Sequence, residues 1–179
     1  MPVSQLRDRT SSTDSTPPHA GSEPIWDLIE LLFFAYRDFV GDADDALAEF
    51  GFGRAHHRVV HFVTRHPGMK VADLLEILNI TKQSLARVLK QLVDEGYVLQ
   101  KEGANDRRQR LLYATPKGEA LAMKLASLQT KRIARAFGEI GPDAHEQARR
   151  FLIAMIDGRE REHVLQLIAR ADRLRQAQS

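Results

Sequence analysis

At 179 residues, with 43% hydrophobic and 28% charged side chains, the chain has material for one domain with a core, or one domain and an appendage. It contains no cysteine, which excludes disulfide frameworks, thiolate metal sites, iron–sulfur clusters, cysteine nucleophiles and thiol-based redox sensing. The formal charge of +2 gives no general case for a polyanionic partner, but its distribution does: residues 1–53 hold 3 basic and 10 acidic side chains, residues 54–118 hold 12 and 6, and residues 119–179 hold 11 and 8. A basic middle behind an acidic front suggests a central module that meets a polyanion and a front with another task; a solvated basic face would carry the same charges. The longest apolar stretch, Ile25 to Val40, is broken by Asp27, Glu30, Arg37 and Asp38, and Met1 to Ala20 lacks the apolar core of an export signal. A soluble cytoplasmic protein is expected.

Residues 1–22 are rich in Ser, Thr, Asp and Pro, with too few apolar side chains to offset the entropy of ordering, so they are expected to be a disordered tail. From Pro24 a helical pattern begins: Trp26, Ile29, Phe33 and Tyr36 form one stripe, with Leu28, Leu32, Ala35 and Phe39 beside it. A helix apolar over so much of its circumference needs more than one packing surface, either an ordinary core or a subunit interface. The acidic run Asp42, Asp44, Asp45 is expected to end or loop this segment, closing a front region over 23–46.

A second helix is predicted from near Gly53 to His66, with Ala55, Val59, Phe62 and Val63 on one face and Pro67-Gly68 as its stop. A short helix with Val71, Leu74, Leu75 and Leu78 follows, and Asn79 suits the left-handed turn after it. Thr81 caps a third helix, apolar at Leu85, Val88, Leu89, Leu92 and Val93 and ending at Gly96. Its opposite face reads Lys82, Gln83, Ala86, Arg87, Lys90, the small, amide and cationic set of a recognition helix in a helix-turn-helix.

Tyr97 to Glu102 and Gln109 to Ala114 have strand length and composition, and Gly103 to Arg108 connects them as a turn with a basic tip. Thr115-Pro116 then starts a helix through an N-cap and an N1 proline, carrying Leu121, Leu125, Leu128 and Phe137. A last helical region, Asp143 to about Arg175, is expected to bend or weaken at Gly158.

Helix, helix, turn, recognition helix and hairpin is the order of a winged helix-turn-helix, so the predicted fold is mainly α with a small β-wing. Gln83 is placed to read adenine and Arg87 guanine, while Lys82, Lys90 and the helix N-terminus with Thr81 and Ser84 face phosphates. In the wing, Asp106 is close enough in sequence to orient the guanidinium of Arg108 toward a minor groove, with Arg107 beside it.

These residues resemble the multiple-antibiotic-resistance-regulator (MarR) family of bacterial winged-helix transcription regulators, from about Leu47 to Gly118. The most specific stretch, Asp106 to Gly118, is similar to the family's wing pattern of Asp-x-Arg, a short strand and Leu-Thr-x-x-Gly, with Ala114 where Leu is usual. Gly51 to Ala55 and Leu92 to Val98 add to the likeness. The resemblance implies a homodimer in which residues 25–40 and 119–176 intertwine. It further implies a palindromic DNA operator and, commonly, repression relieved by a small ligand. The expected domains are therefore 23–46 and 117–179 for dimerisation, with 47–116 for DNA.

An effector cleft is expected where Phe33 and Tyr36 meet His57, Arg58, His61 and the Thr115 helix, aromatic walls with cationic groups that suit a small aromatic acid or phenol. The i, i+4 pair His57 and His61 raises zinc as an alternative, with a third ligand from His66, Glu49 or Asp45; a structural histidine pair explains the spacing as well, and no metal or cofactor is expected. No motif of an enzyme is present. A winged-helix module that binds protein rather than DNA would not need both a cationic recognition face and an arginine-bearing wing.

Overall fold

The computed structural model describes residues 23–104, 106 and 108–177; the tail expected over 1–22, and Asn105 and Arg107 in the wing, lie outside the described residues. The elements among them are α1 (Trp26–Ala48), α2 (Arg54–Arg65), β1 (Met69–Lys70), α3 (Val71–Leu78), α4 (Lys82–Asp94), β2 (Val98–Glu102), β3 (Arg110–Ala114), α5 (Pro116–Ile140), α6 (Ala144–Met155) and α7 (Arg161–Gln176). The described residues divide into two compact units, one ending at Tyr36 and the other beginning at Arg37, so that the division falls inside α1.

α1 continues through the acidic run that was expected to end it. Asp42 accepts from Arg132 Nη2 and Nε at 2.9 and 3.0 Å, and Asp44 accepts from Arg54 Nη2 at 2.7 Å, so these carboxylates tie the helix to its neighbours. On the same stretch Val40, Ala43 and Leu47 are buried at i, i+3 and i+7. Packing and ion pairs outweigh the weak helix propensity of aspartate. The first half of α1 is different: Trp26 is 64% exposed and Phe33 69%, with Leu28, Leu31, Leu32 and Phe34 also exposed.

Residues 37–179 are built around one core. α2 contributes Val59, Val60 and Val63, α3 Leu74 and Leu78, α4 Leu85, Leu89 and Leu92, and the sheet and α5 close it with Leu112 and Leu125. α3 ends at Asn79, whose φ of 49° is the left-handed turn predicted for it, and α4 starts two residues later on the Thr81 cap. The three strands are ordered β1-β3-β2, all antiparallel, with Met69 opposite Leu112, Val98 opposite Ala114 and Glu102 opposite Arg110. β1 is an addition to the predicted hairpin; two residues are too few to show an alternation in sequence.

The helix expected over 143–175 is two helices. Around Gly158 the chain leaves the helical path: Asp157 Oδ1 accepts from the Arg159 N–H at 2.9 Å, and Arg161 Nη2 donates to the Ala154 and Ile156 carbonyls at 3.0 and 3.2 Å. Arg161 thereby satisfies the Ala154 carbonyl, which α6 leaves open at its end, and that of the Ile156 C-cap, which supports a break there.

Candidate nucleic-acid interface

α4 is held at its start by its own side chains. Thr81 Oγ1 accepts from the Ser84 N–H at 3.2 Å and its hydroxyl donates to Ser84 Oγ at 2.9 Å, so both hydroxyls serve the N-cap. Leu85, Val88, Leu89 and Leu92 are buried, which turns Lys82, Gln83, Ala86, Arg87 and Lys90 outward, all exposed. Lys90 pairs with Asp94 one turn on, whereas among the described residues nothing pairs with Gln83 or Arg87. At the back of the helix Gln91 Oε1 meets His56 Nε2 at 2.9 Å, and His56, stacked on Phe52 at 4.7 Å, accepts from the Gly53 N–H at Nδ1. The recognition helix is thereby fixed to the start of α2.

The wing turn closes with the Gly103 N–H on the Gln109 carbonyl and the Gln109 N–H on the Asp106 carbonyl, both at 3.0 Å. A Cβ on Gly103 would stand 2.8 Å from that Asp106 carbonyl, so the turn requires glycine. Asp106 does not hold the Arg108 guanidinium as expected. Its Oδ1 accepts from the Arg108 backbone N–H at 2.9 Å, the local bond a short carboxylate makes two residues on. Arg108 keeps an exposed side chain at the tip, and Arg107 lies outside the described residues.

Between α3, α4 and the wing lies a groove of about 900 Å³. Lys82, Lys90 and Arg108 line it, and so do Lys70, Gln100 and Arg110, which the sequence reading missed. Lys70 belongs to the unseen β1, and Arg110 is paired with Glu102 at 2.9 Å across the strands. Basic character at alternate wing positions was the available signal for Arg110. Asp73 and Asp94 temper the groove, but its cations outnumber them.

Of the residues expected to form an effector cleft, His57, Arg58 and His61 all lie on α2. His57 is buried, and Arg58 donates to the Leu78 carbonyl at 2.8 Å, tying α2 to the end of α3. Phe33 and Tyr36 stand exposed on α1 in the other compact unit. His61 lines a cleft of about 750 Å³ between α2, α5 and α7, with Arg65, Met123, Lys131, Leu174 and Arg175. Thr64 Oγ1, on the same wall, is buried without a hydrogen-bond partner among the described residues.

Burial lowers the pKa of His57, against a weaker upward pull from Asp44. It also lowers His66, assisted by Arg65 and Arg170. His61, although open to solvent on one side, is pushed down to about 4 by the protein packed around it and by His57, Arg65 and His66. Among the described residues no group of three or more His, Asp or Glu side chains converges on a metal position. Nor is any described helix long and apolar enough to cross a membrane.

A recognition helix set on a small helical core and flanked by a three-stranded wing defines the winged helix-turn-helix class. The sequence profile of the MarR family matches residues 50–109. The HTH-type transcriptional regulator PetP of Rhodobacter capsulatus is 44% identical over 135 residues, which cover 75% of this chain and 81% of PetP. The chain belongs to the MarR family of transcriptional regulators. Solved structures share its fold: the regulator SlyA at a TM-score of 0.64 and 18% identity, covering 77% of this chain and 99% of SlyA. A MarR family protein of Mycobacterium tuberculosis, in complex with p-aminosalicylic acid, has a TM-score of 0.54 and 20% identity over 75% of this chain and all of its own.

Proposed function

We propose that the protein is a homodimeric, sequence-specific DNA-binding regulator that reads a palindromic operator with Gln83 and Arg87 and braces itself on phosphates and the neighbouring minor groove with Lys82, Lys90 and Arg108. The observation that carries this is the exposed Gln83–Arg87 face of α4, unpaired among the described residues, beside a groove rimmed by lysines and arginines. An α-helix fits the major groove of B-DNA, and amide and guanidinium groups suit paired bonds to adenine and guanine. The outward apolar side chains of Trp26 and Phe33 support a second copy as partner of α1. Selection from a random-sequence duplex pool tests the reading. A recovered consensus with two-fold symmetry, bound with steep salt dependence, is expected. Recovery of no consensus would assign the groove to another kind of partner.

The α2–α5–α7 cleft, which His61 lines, is the candidate site for an effector. It combines the apolar Met123 and Leu174 with His61, Arg65 and Lys131, a lining suited to a small aromatic carboxylate. The p-aminosalicylic acid bound to the Mycobacterium tuberculosis relative is of that chemical class. A ligand that prefers an arrangement of the two reading heads unsuited to the operator lowers DNA affinity by that preference, the behaviour expected of a repressor released by its effector. Salicylate at millimolar concentration is expected to weaken operator binding in wild type and to do so less in Lys131→Ala, with zinc and peroxide inert. Unchanged affinity with salicylate, or a stoichiometric response to zinc, would overturn this assignment.

A further inference from the structure

We propose that Lys117 is a positioning residue for DNA recognition: from the first turn of α5 it holds the C-terminal end of the recognition helix, fixing α4 relative to the wing and to the helix that lines the cleft. The proposal rests on the DNA-binding reading above.

The backbone of α4 is closed by a glycine cap, with the Gly96 and Tyr97 N–H groups donating to the Val93 and Leu92 carbonyls at 3.0 and 2.8 Å, but its charge is not balanced. It has no basic residue in its last turn and finishes on Asp94 and Glu95, where the helix already presents partial negative charge. Lys90 engages the Asp94 side chain, and the Glu95 carbonyl beyond it is left for another donor. Lys117 Nζ donates to the Glu95 carbonyl at 2.9 Å and stands 4.1 Å from the centroid of the Tyr97 ring. Tyr97 is itself a junction. Its N–H donates to the Leu92 carbonyl at 2.8 Å and its carbonyl accepts from the Thr115 N–H at 3.1 Å, while the Thr115 hydroxyl donates to the Gly96 carbonyl at 2.7 Å. α5 is seated there without clearance, since a Cβ on Gly118 would fall 2.1 Å from the Tyr97 carbonyl oxygen.

Two residues beyond Lys117, Glu119 lines the cleft, and Ala122 and Met123 follow one turn on. One rigid helix thus touches both the cleft and the end of α4. Lys117 is exposed, so its removal opens no cavity, and Thr115 and Gly118 still seat α5. What is lost is the cation at the end of α4.

The test uses the full chain, its Lys117→Met and Lys117→Arg variants, and a duplex recovered from a random pool by wild type. Lys117→Met is expected to bind about fivefold more weakly, the scale of one favourable charge at a helix end. The slope of affinity against salt should stay unchanged, with faster amide exchange over residues 91–97. Lys117→Arg should restore both affinity and exchange, because a guanidinium reaches the same carbonyl. A salt slope smaller by about one unit would make Lys117 a phosphate contact and overturn the proposal. Unchanged affinity and exchange in Lys117→Met would overturn it as well. Should wild type recover no duplex, the DNA reading falls, and the exchange comparison still decides whether Lys117 holds the end of α4.

Discussion

Arg108 and Arg87 are both exposed cations, yet their surroundings assign them different work. Arg108 sits at a turn shaped by Asp106 and Gly103, on the rim of the groove, whereas Gln83 projects from the first turn and Arg87 from the middle of a helix whose other face is anchored in the core. Arg108→Ala is expected to leave the fold intact and lower the log–log salt slope by roughly one unit. Gln83→Ala and Arg87→Ala should instead relax the recovered consensus, at about 1–3 kcal/mol for each true base contact. A consensus identical to wild type in both helix variants would remove α4 from sequence reading. The buried histidines make a prediction of another kind. His57 and His66 have folded pKa values below that of a free imidazole, so the unfolded chain takes up protons that the fold resists. Their effect on stability is absent above about pH 7 and becomes a loss as pH falls below about 6.5, the ordinary value. The thermal midpoint should therefore drop between pH 7.5 and 5, and drop less in His57→Gln. Equal pH dependence in the two proteins would mean that the ring ionises as freely in the fold as outside it.

At the scale of elements, the contacts that orient the reading head are backbone contacts with little tolerance. Gly118 is the tightest: its missing side chain lets the first turn of α5 lie against the Tyr97 carbonyl. A methyl group there must displace either α5 or the base of the wing, and backbone cannot yield as a flexible side chain does. Gly118→Ala is expected to cost about 2 kcal/mol or more in chemical denaturation, in the range of overpacked sites. A loss under about 0.5 kcal/mol, typical of surface substitutions, would show that this junction relaxes easily. The Thr81 cap is of the opposite kind, a bond from side chain to backbone that sequence alone announces and whose removal costs about 1 kcal/mol.

For the whole molecule, the main question is what covers α1. Its first half presents Trp26, Leu28, Leu31, Leu32, Phe33 and Phe34 to solvent, more apolar surface than a stable monomer usually leaves in one place. In the proposed dimer this face is shared between copies, and the two recognition helices address half-sites about 10 base pairs apart. Phe33→Asp is expected to shift the sedimenting species to monomer and to weaken operator binding, without unfolding the core around Leu74 and Leu92. A chain starting at Leu47 should aggregate or remain monomeric, since it also loses Val40 and Ala43 from the core. A Phe33→Asp protein that stays dimeric and operator-competent would move the interface elsewhere.

Much of the reading head was legible before any coordinates, because its signals are local. The 3.6-residue spacing of Leu85, Val88, Leu89 and Leu92, the left-handed Asn79, the Thr81 and Thr115 caps and Pro116 each act within a turn or two of their own position. What sequence could not supply depends on partners distant in the chain. The acidic run stays helical because Arg132, ninety residues away, meets Asp42. Arg58 Nη2 is held by the Leu78 carbonyl, and the cleft that His61 lines takes its other walls from α5 and α7. The amino-acid sequence by itself determined the order of elements and the exposed face of α4, since periodicity and capping are short-range effects. Which cations share the groove, which helices enclose the cleft and how Lys117 reaches the end of α4 were decided only by tertiary packing, because those arrangements depend on contacts that no local pattern encodes.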